Sequence, residues 1–586
     1  MKKYFLSAAI TTIAWLLGTA TAQVDVTSLK ASAEVASKEA TLTREIVLGG
    51  LPTKSSTEMT IPGRFSSLRP QNGLSESEYA AAKLRASQVR TILSATKPVP
   101  PALPPTGQIV TNSPTSSATF LGVNEACSGV TPSDMALAVG PNFELQVVND
   151  CIAVFDRSGA VQAGFPKSVN AFFGLPANNF AIGRITTDPR AFYDNVAGRY
   201  VMAILFEDIP NSRGFAEIAA SKTNDPTGAW NIYQIEVGGT GQCPDFPTLG
   251  QGRSFDKFNG SVAIGFNVFG CNTKGFTTFQ DDQVWFLPKK ALYSGAPAFN
   301  FNLALNLTVN GTHVDTVQPV NVAFGNELPR TQFAVNSFNI NFGGSLCSNA
   351  CNGLVVWSFS NVLQNPGSPG IAISAQVIGT PSNYSLPPAA SQPSGRNTID
   401  TGDTRVSGSA QYSAGSIYAT LNTNNGGGGS AIMSYQIHAF LNDNGNGTCT
   451  GAFLNACPTL AGAGVDNEFS YGIGGGTAFN GYFGTIQPDA ERNLTMVLNF
   501  SGDNFFPGVV YTSNRATQAP GNWHDAGIFL CLGQAFYGQQ RWGDYTGTSI
   551  ETSSPGRMWF SGMFSQSDGN WGTCIGKNGF TASNQP

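Results

Sequence analysis

The segment Arg541-Trp542-Gly543-Asp544-Tyr545-Thr546-Gly547 contains the pattern that organises most of the chain. An aspartate stands at a glycine-rich turn, and a strand of alternating bulky and small residues follows at Arg557–Phe564. Aspartates in similar settings occur upstream at Asp134, Asp188, Asp245, Asp403 and Asp489. Several intervals between them are about 55 residues, and a strand-rich unit repeated at such a period is typical of a β-propeller.

Strand signals come in seven packets, which predicts seven blades, with six blades as the alternative. The packets cover Met135–Phe155, Arg190–Ile235, Ser261–Phe286, Val317–Ser358, Arg405–His438, Tyr482–Tyr511 and Trp542–Phe580. Ala118–Gly122 is expected to complete the last blade, because propellers often close by pairing strands from the two ends of the chain. The predicted fold class is all-β: a seven-bladed β-propeller at residues 118–586, with a short, partly helical N-terminal extension.

The first 22 residues have the features of a signal peptide. Lys2 and Lys3 form a short basic region, Phe5–Leu17 is apolar but too short for a bilayer span, and Ala20–Ala22 offers a cleavage site. No later apolar run reaches about 18 residues, so no transmembrane segment is predicted. We therefore expect a secreted protein, extracellular or periplasmic, whose mature chain is soluble and monomeric.

Residues 23–117 do not share the repeat. Ser75 and Glu78 form a capping box, which predicts a helix over Tyr79–Leu93. Lys97–Pro105 is rich in proline and predicts a semi-rigid linker. Three roles remain open for this extension: a pro-region, a spacer, or a strap across the propeller.

The composition excludes some classes of partner. Charged residues make up 12% of the chain, whereas it contains 67 glycines and 40 phenylalanines, a balance that favours short strands and tight turns. The net charge of −5 provides no positive surface for nucleic acid or an anionic membrane. Neither is expected as a partner.

Ten cysteines in an exported chain predict disulfide bonds, and they fall into neighbouring pairs. The predicted bonds are Cys127–Cys151, Cys243–Cys271, Cys347–Cys351, Cys449–Cys457 and Cys531–Cys574. The first, second and fifth are expected to tie strands or loops of a single repeat, and the other two to close small loops. A metal cluster is the alternative, but the chain has no C-x-x-C pair and only three histidines.

Six short segments stand out in the repeat region. They are LAVGPN (137–142), DPRAFYD (188–194), SKTNDPTGAW (221–230), PDFPTLG (244–250), IDTGDTRVSG (399–408) and RWGDYTG (541–547). Together they resemble the secreted bacterial sialidase-like, or BNR/Asp-box-like, β-propellers, most of which have no assigned biochemistry. The resemblance covers Ala118–Phe580. Thr223–Trp230 keeps the Asp-to-Trp spacing of an Asp-box but moves the glycine by one residue, and Ser567–Trp571 is shorter; both are predicted to be structural turns.

The aspartates that open the packets form the first candidate site. If each opens an innermost strand, one mouth of the central channel is surrounded by Asp134, Asp188, Asp245, Asp403, Asp489 and Asp544, with Gln318 in the fourth packet. Such a ring could bind a divalent cation or supply a general acid. The alternative is structural, since a carboxylate at a turn accepts backbone N–H bonds. Repetition in nearly every unit favours the structural role, because catalysis needs only one or two special carboxylates.

The resemblance also implies a catalytic interpretation. Sialidase-type enzymes bind a substrate carboxylate with three arginines and use a tyrosine nucleophile. The catalytic candidates are Asp188, Asp403, Asp544 and Tyr545, and Tyr193 is the alternative to Tyr545 as the nucleophile. The substrate-binding candidates are Arg190, Arg405, Arg541 and Trp542. No F-R-I-P-like motif is present, and seven packets differ from the usual six blades. Asp–Arg pairs between blades would explain the same arginines.

Aromatic side chains offer another interpretation, because a ring with an apolar face stacks on sugars. The candidates are Trp523, Tyr537, Trp542, Tyr545 and Trp559. Packing between blades explains such residues equally well, so their exposure decides between the two.

Other chemistry has less support. Signatures of serine hydrolases, zincins and P-loop proteins are absent from the sequence. His313 and His438 are isolated in the sequence, and the side chains of His524 and Asp525 would point to opposite faces of a strand. Asn442–Gly447 resembles the start of a calcium loop but lacks the closing acidic residue, so a hairpin loop is predicted. No cofactor is expected, and calcium, if bound, is not expected to be obligatory.

Three functions follow from these observations. The leading hypothesis is a secreted protein that binds a carbohydrate or glycoprotein ligand at one mouth of the channel. The alternatives are a sialidase-like glycoside hydrolase and an extracellular scaffold for protein partners.

Overall fold

The computed structural model describes thirteen stretches of the chain together with the single residues 395 and 523. The stretches are 29–54, 63–64, 76–88, 113–252, 258–323, 331–339, 350–363, 371–393, 399–442, 459–518, 526–551, 553–554 and 556–580. The predicted signal peptide, residues 1–22, lies outside them. No helix in the described part of the chain is long and apolar enough to cross a membrane.

The N-terminal part contains both strands and helices. Its elements are β1 (Ala31–Val47), β2 (Gly63–Arg64), α1 (Glu76–Gln88), β3 (Ala118–Asn124), α2 (Glu125–Ser128) and β4 (Val130–Thr131). The predicted helix is present, but it begins three residues before Tyr79, and the residues after Gln88 lie outside the description. The long strand β1 is not predicted by the sequence, because its alanines, glutamates and lysines favour a helix.

From Ala136 onward, strands that follow one another along the chain pair antiparallel in seven groups. Group I contains β5 (Ala136–Val139), β6 (Phe143–Val148) and β7 (Cys151–Asp156), and group II contains β8 (Arg184–Asp194), β9 (Arg199–Asp208), β10 (Arg213–Ser221) and β11 (Ala229–Glu236). Group III contains β12 (Gln242–Gln251), β13 (Ser261–Asn272), β14 (Gly275–Pro288) and β15 (Ala298–Val309), whose end pairs with β16 (Thr312–His313). Group IV contains β17 (Gln318–Pro319), β19 (Gln332–Phe338), β20 (Cys351–Ser360) and β21 (Ala372–Tyr384), with β18 (Asn321–Val322) beside it.

The remaining strands continue the same arrangement. Group V contains β22 (Gln411–Ser413), β23 (Ser416–Asn424), β24 (Ser430–Asn442) and β25 (Thr459–Tyr471). Group VI contains β26 (Asn480–Pro488), β27 (Leu494–Gly502), β28 (Phe505–Asn514) and β29 (Ile528–Cys531), and group VII contains β30 (Gly547–Ile550), β31 (Arg557–Ser565), β32 (Trp571–Gly579) and β3. Two short helices, α3 (Val169–Phe173) and α4 (Lys289–Ser294), lie in connections. The predicted all-β class is confirmed.

The first strands of the groups form a closed circle of neighbours in which β18 occupies the place between β12 and β22. β5 lies against β8, β8 against β12, and β12 against β17; β22 lies against β26, β26 against β30, and β30 against β5. Between groups III and V the short strand β18 pairs in parallel with β12 and with β22. A row of carboxamides follows this pairing: Gln251 donates to Asn321 (2.9 Å), and Asn321 donates to Gln411 (3.0 Å).

Two N-terminal strands complete the outer edges of this circle. β3 pairs with β32, which confirms that Ala118–Gly122 joins the C-terminal strand. β1 pairs with two strands in succession: residues 31–41 pair with β15, and residues 42–47 pair with β11. Residues 31–47 of the extension therefore connect the outer strands of groups II and III.

Packing between neighbouring groups explains why the strands are apolar on both faces. Trp230, Trp285, Trp357, Trp559 and Trp571 are fully buried among the groups. Strand β13 is buried over nearly its whole length. A sheet covered on both faces reads as a continuous apolar run, which is why the packets are easier to detect than their internal boundaries.

The boundaries of several predicted strands were wrong. In the third packet the sequence reading missed β12 and β15, and in the fourth it missed β21. The first part of the fifth packet contains a hairpin, because Ala414 and Gly415 both have positive φ and reverse the chain between β22 and β23.

The Asp-box-like segments form turns, as predicted. Asp225 accepts hydrogen bonds from the backbone and hydroxyl of Thr227, between β10 and β11, and the buried Trp230 donates to the Pro226 carbonyl (2.9 Å). Asp568 accepts from the backbone of Asn570 at the turn between β31 and β32.

Three predicted disulfides are present: Cys127–Cys151, Cys243–Cys271 and Cys531–Cys574. Cys351 is also disulfide-bonded, and its predicted partner Cys347 lies outside the described residues, as do Cys449 and Cys457. The expectation that the first and fifth bonds each stay within one repeat was wrong. Cys127 follows β3 of group VII and bonds to β7 of group I, whereas Cys531 of group VI bonds to β32 of group VII.

Candidate functional site

At one end of the circle the chain enters most first strands through a residue with positive φ. These residues are Asp134, Asp188, Phe246, Thr316, Gly402 and Phe483. Pairing with the second strand shifts register at this point in β8, β12 and β26, so the left-handed residue sits in a bulge. Only two of the six are aspartates. Asp245 and Asp403 stand one residue before and one residue after the equivalent position.

Asp489 does not belong to this end of the circle. It follows Pro488 at the far end of β26, where it accepts hydrogen bonds from the backbone of Glu491 and Asn493 (both 2.8 Å). Its placement in the predicted ring was therefore wrong, because the sequence shows the same Pro-Asp dipeptide near the start of β12 and at the end of β26.

A recurring asparagine fixes the entry points. Asn149 directly follows the second strand of group I, and Asn267 and Asn422 lie within the second strands of groups III and V. Each accepts a hydrogen bond from the backbone N–H of the left-handed residue in the next group, at 2.8 Å in every case. Asn499 accepts similarly from the backbone of Met563 (2.9 Å). The sequence reading missed these residues, although a hydrophobic residue followed by asparagine recurs at each position.

Asp134, Asp188 and Asp544 come together near the centre of the circle. Asp134 accepts from the Asn149 side chain (2.8 Å) and from the backbone N–H of Asp544 (2.8 Å). Burial raises the pKa of Asp134 well above its usual value, and the charges of Asp544 and Asp188 add to this effect. The hydroxyl of Thr187 donates to Asp188 (2.7 Å).

Two arginines form local pairs with aspartates. Arg405 donates to both carboxylate oxygens of Asp403, at 2.8 and 2.6 Å. Arg541 donates to both oxygens of Asp544, at 3.1 Å each. Burial alone would raise the pKa of Asp403, but the charge and hydrogen bonds of Arg405 outweigh it and hold that pKa below its usual value. Both pairs join near neighbours in sequence, not residues of different groups.

Arg190 of group II contacts residues in or next to three other groups, III, V and VII, near the centre of the circle. Its guanidinium carbon lies 3.3 Å from the centre of the Tyr545 ring and 5.4 Å from that of Phe246. Its Nε donates to the carbonyl of Pro247 (2.8 Å), and both terminal nitrogens lie 3.3 Å from the carbonyl of Ser407. The Tyr545 hydroxyl donates to the carbonyl of Pro189 (3.0 Å). Tyr193 lies near the C-terminal end of β8, where its ring packs against Tyr200, so it takes no part in this cluster.

The aromatic candidates for sugar stacking are buried. Trp542 and Tyr537 pack edge to face with ring centres 4.7 Å apart, and Trp523 packs against Phe469. Tyr545 and Trp559 are also buried. Their burial favours packing between groups over sugar stacking for these rings.

Helix α1 lies over the Asp–Arg pairs. The Tyr79 hydroxyl donates to the Gly402 carbonyl (3.0 Å). The buried Lys83 ammonium donates to the carbonyls of Gly402 and Pro387 and to the Thr401 hydroxyl, and it lies 3.4 Å from Asp400. Burial lowers the pKa of Lys83, while Asp400 and Asp403 oppose that shift. The helix thus helps to bury the very residues that the resemblance implies are catalytic.

The remaining candidates can also be placed. Two histidines that are isolated in the sequence have acidic neighbours: His438 Nδ1 lies 2.6 Å from Asp466, and His313 Nδ1 lies 3.7 Å from Asp281. His524, Asp525 and all of Asn442–Gly447 except its first residue lie outside the description. Within the described stretches, no three metal-ligating side chains of the His, Cys, Asp or Glu type are arranged to hold an ion.

Comparisons with known proteins give weak likenesses. No protein-family model and no curated protein matches the chain. Among solved structures, an unknown-function protein from Dyadobacter fermentans is 11% identical, covers 67% of this chain and 94% of its own, and has a TM-score of 0.29. A subtype N10 neuraminidase-like protein of A/little yellow-shouldered bat/Guatemala/060/2010 is 8% identical, covers 66% of this chain and 96% of its own, and has a TM-score of 0.31. An N-acetylgalactosamine deacetylase from F. plautii is 11% identical, covers 69% and 93%, and has a TM-score of 0.28. Likenesses this low support no conclusion about fold or function.

Proposed function

We propose that the protein is an exported seven-bladed β-propeller that binds glycans or glycoconjugates outside the cell and does not hydrolyse them. Each strand group corresponds to one blade, and the first strands line the central axis. The closed circle of first strands supports this arrangement, and so does the pairing of β3 with β32, which joins the two ends of the repeat region.

We favour a glycan-binding protein over a glycosidase because the candidate catalytic side chains are buried and paired with other groups of the same chain. Asp403 and Asp544 are each held by an arginine of the same chain, and the Tyr545 hydroxyl is bonded to a backbone carbonyl. A glycosidase needs a carboxylic acid and a nucleophile that both reach the substrate. Arginines that neutralise their own aspartates are also not free to bind a substrate carboxylate.

Other observations support the location and the ligand class. The N-terminal segment has the features of a signal peptide, and disulfide bonds persist in oxidising compartments. The sequence resemblance to sialidase-like propellers favours a carbohydrate ligand.

The test combines a glycan array with a panel of fluorogenic glycosides. We expect the wild-type protein to bind glycans on the array and to release no fluorophore. Tyr545→Phe is the matched variant, because it removes only the hydroxyl of the candidate nucleophile. Fluorophore release that disappears in this variant would establish a glycosidase. Silence in both assays would favour the protein-scaffold alternative.

A further inference from the structure

The outer halves of β24 and β25 carry an exposed strip of polar and aromatic side chains. Phe440 is 61% exposed, more than nearly all other large apolar residues in the described chain. Its ring stacks on His438, with centres 4.8 Å apart and planes inclined by 29°. The strip, hereafter the β24–β25 strip, consists of Gln436, His438, Phe440, Asp466 and Asn467.

Alternation along β24 separates this strip from the core. Ile437, Ala439 and Leu441 belong to the apolar cluster that group V shares with group IV. Successive side chains of a strand point to opposite faces, so His438 and Phe440 lie on the other face. The hydrophobic core therefore does not require an aromatic residue at position 440.

Glycines on β25 leave the two rings uncovered. His438 is opposite Gly464, and Phe440 is opposite Gly462. A Cβ at position 464 would lie 2.7 Å from the His438 ring, so this ring rests on the bare backbone of β25. A Cβ at position 462 would meet no atom within 4 Å, so the space beside Phe440 is open.

Polar groups flank the exposed ring in fixed positions. His438 Nδ1 lies 2.6 Å from Asp466 Oδ1, which orients the imidazole. Asn467 donates to Gln436 (2.7 Å), and Gln436 donates in turn to the Ser416 hydroxyl (3.1 Å). An open aromatic face beside oriented imidazole, carboxylate and carboxamide groups is the combination that a sugar ring needs, because its C–H face stacks while its hydroxyls form hydrogen bonds.

We propose that the β24–β25 strip is the glycan-binding site and that it prefers neutral saccharides. The choice of ligand class rests on the proposed function. Asp466 places a carboxylate beside the stacking ring, so a sialylated or sulfated glycan would bring like charges together. A protein partner would need a wider apolar surface than one phenylalanine offers. The site therefore lies on the outer part of group V and not at the mouth of the channel.

The first experiment compares the wild-type protein with Phe440→Ala, Asp466→Asn and the control Leu121→Ala on one glycan array. Leu121 is also well exposed, but it lies on β3 in group VII. We expect Phe440→Ala to lose about tenfold or more in affinity for neutral glycans, a loss equivalent to about 1.4 kcal/mol. Leu121→Ala should bind like the wild type, and Asp466→Asn should gain binding to anionic glycans.

Different results separate the strip from the general function. Unchanged array binding by Phe440→Ala overturns the strip and leaves a glycan-binding protein with another site. A wild-type preference for anionic glycans overturns the neutral specificity. If the wild type binds nothing on the array, the proposed function fails, and NMR of the histidine rings tests the strip separately.

The chain has only three histidines, and His438→Gln assigns the signal of the ring in the strip. A shift of that signal with millimolar neutral methyl glycosides supports the strip, and no shift overturns it.

Discussion

Asn149 shows why a carboxamide, and no other side chain, suits the entry points of the first strands. Its oxygen accepts from the backbone of Asp188 in the next group, while its nitrogen donates to the Pro132 carbonyl and to Asp134 in its own group. Aspartate would lack the donor and leucine would lack both functions. The repetition of this residue in successive groups makes each entry point depend on its neighbour.

We expect Asn149→Ala to lower the free energy of unfolding by about 2–4 kcal/mol, because it leaves buried groups on two strand groups unpaired. Chemical denaturation monitored by fluorescence would measure this. Asn272→Ala is the control, since this exposed residue caps only the hairpin turn before Lys274. A loss no larger than that of the control would show that water replaces the carboxamide.

Glu217 provides a prediction about pH. Burial raises its pKa to about 8, although the hydrogen bond from Gln234 opposes the shift. The folded protein therefore keeps this proton to a higher pH than the unfolded chain. Its contribution to stability is fully present below pH about 4.5 and is lost as the pH rises towards 8, at up to about 1.4 kcal/mol per pH unit.

Glu217→Gln should remove this dependence. We expect the variant to gain stability relative to the wild type at pH 8 and to resemble it near pH 4.5, in denaturation curves recorded across this range. Glu491→Gln, at an exposed turn, is the matched control. Parallel pH profiles for wild type and Glu217→Gln would mean that Glu217 is ionised in the folded state.

At the scale of single residues, the sequence locates the aspartates and arginines but not their partners. The pairs Asp403–Arg405 and Asp544–Arg541 join residues two and three positions apart, so their proximity is already visible in the sequence. Burial is not visible there, and it distinguishes a neutralised pair from a substrate-binding one. The asparagine contacts are also hidden, because their partners lie about 40 to 60 residues away, in the next repeat.

Strand β1 illustrates how pairing overrides local propensity. Its residues favour a helix, yet the segment is paired along its length with other strands, first with β15 and then with β11. The sequence of β1 alone does not predict this strand, because its conformation is set by hydrogen bonds to the edges of β11 and β15. Helix α1, by contrast, has a local capping signal and is predictable.

We expect Ala40→Asp to lower the free energy of unfolding by at least about 3 kcal/mol, because it buries an unpaired carboxylate. Ala40 is fully buried in the cluster shared by groups II and III. Its neighbour Glu39 is exposed, so Glu39→Ala is the control. Limited proteolysis should also cut β1 faster in Ala40→Asp only. Equal stability of the two variants would contradict the role of β1 in connecting groups II and III.

Lys83 makes most of the polar contacts that attach helix α1. We expect Lys83→Ala to leave the Gly402 and Pro387 carbonyls and Asp400 without this donor, and to speed hydrogen exchange in α1 and in residues 400–405. Arg85→Ala, on the exposed side of the same helix, should exchange like the wild type. Unchanged exchange in Lys83→Ala would show that Tyr79 and the apolar contacts suffice to hold the helix.

For the whole molecule, two disulfides flank the group that closes the circle. Cys531–Cys574 joins groups VI and VII, and Cys127–Cys151 joins group VII to group I. Cys243–Cys271 stays within group III. The proximity of the cysteines in the sequence predicts the pairs. The groups that these bonds connect become clear only from the structure, because β3, from the N-terminal side, pairs with β32 in group VII.

Removal of Cys531–Cys574 by a double serine substitution should cost about 2–5 kcal/mol. We also expect faster hydrogen exchange in β3, because group VII then loses a link to its neighbour. The double serine variant of Cys243 and Cys271 is the control, and exchange in β3 should remain slow in it. Equal effects of both variants on β3 would indicate that ring closure does not depend on the flanking bond.

The pairing of β3 with β32 has a consequence for the order of events on the ribosome. Val123 and Thr573, which share a hydrogen bond, are 450 residues apart. At about 5–20 residues per second, the nascent β3 waits roughly 20–90 s before its partner is made. During that time its edge is open to other chains, and Leu121 is exposed on it. Synthesis at high local concentration therefore favours domain swapping, in which β3 of one chain pairs with β32 of another. The products would be linked oligomers in place of closed monomers.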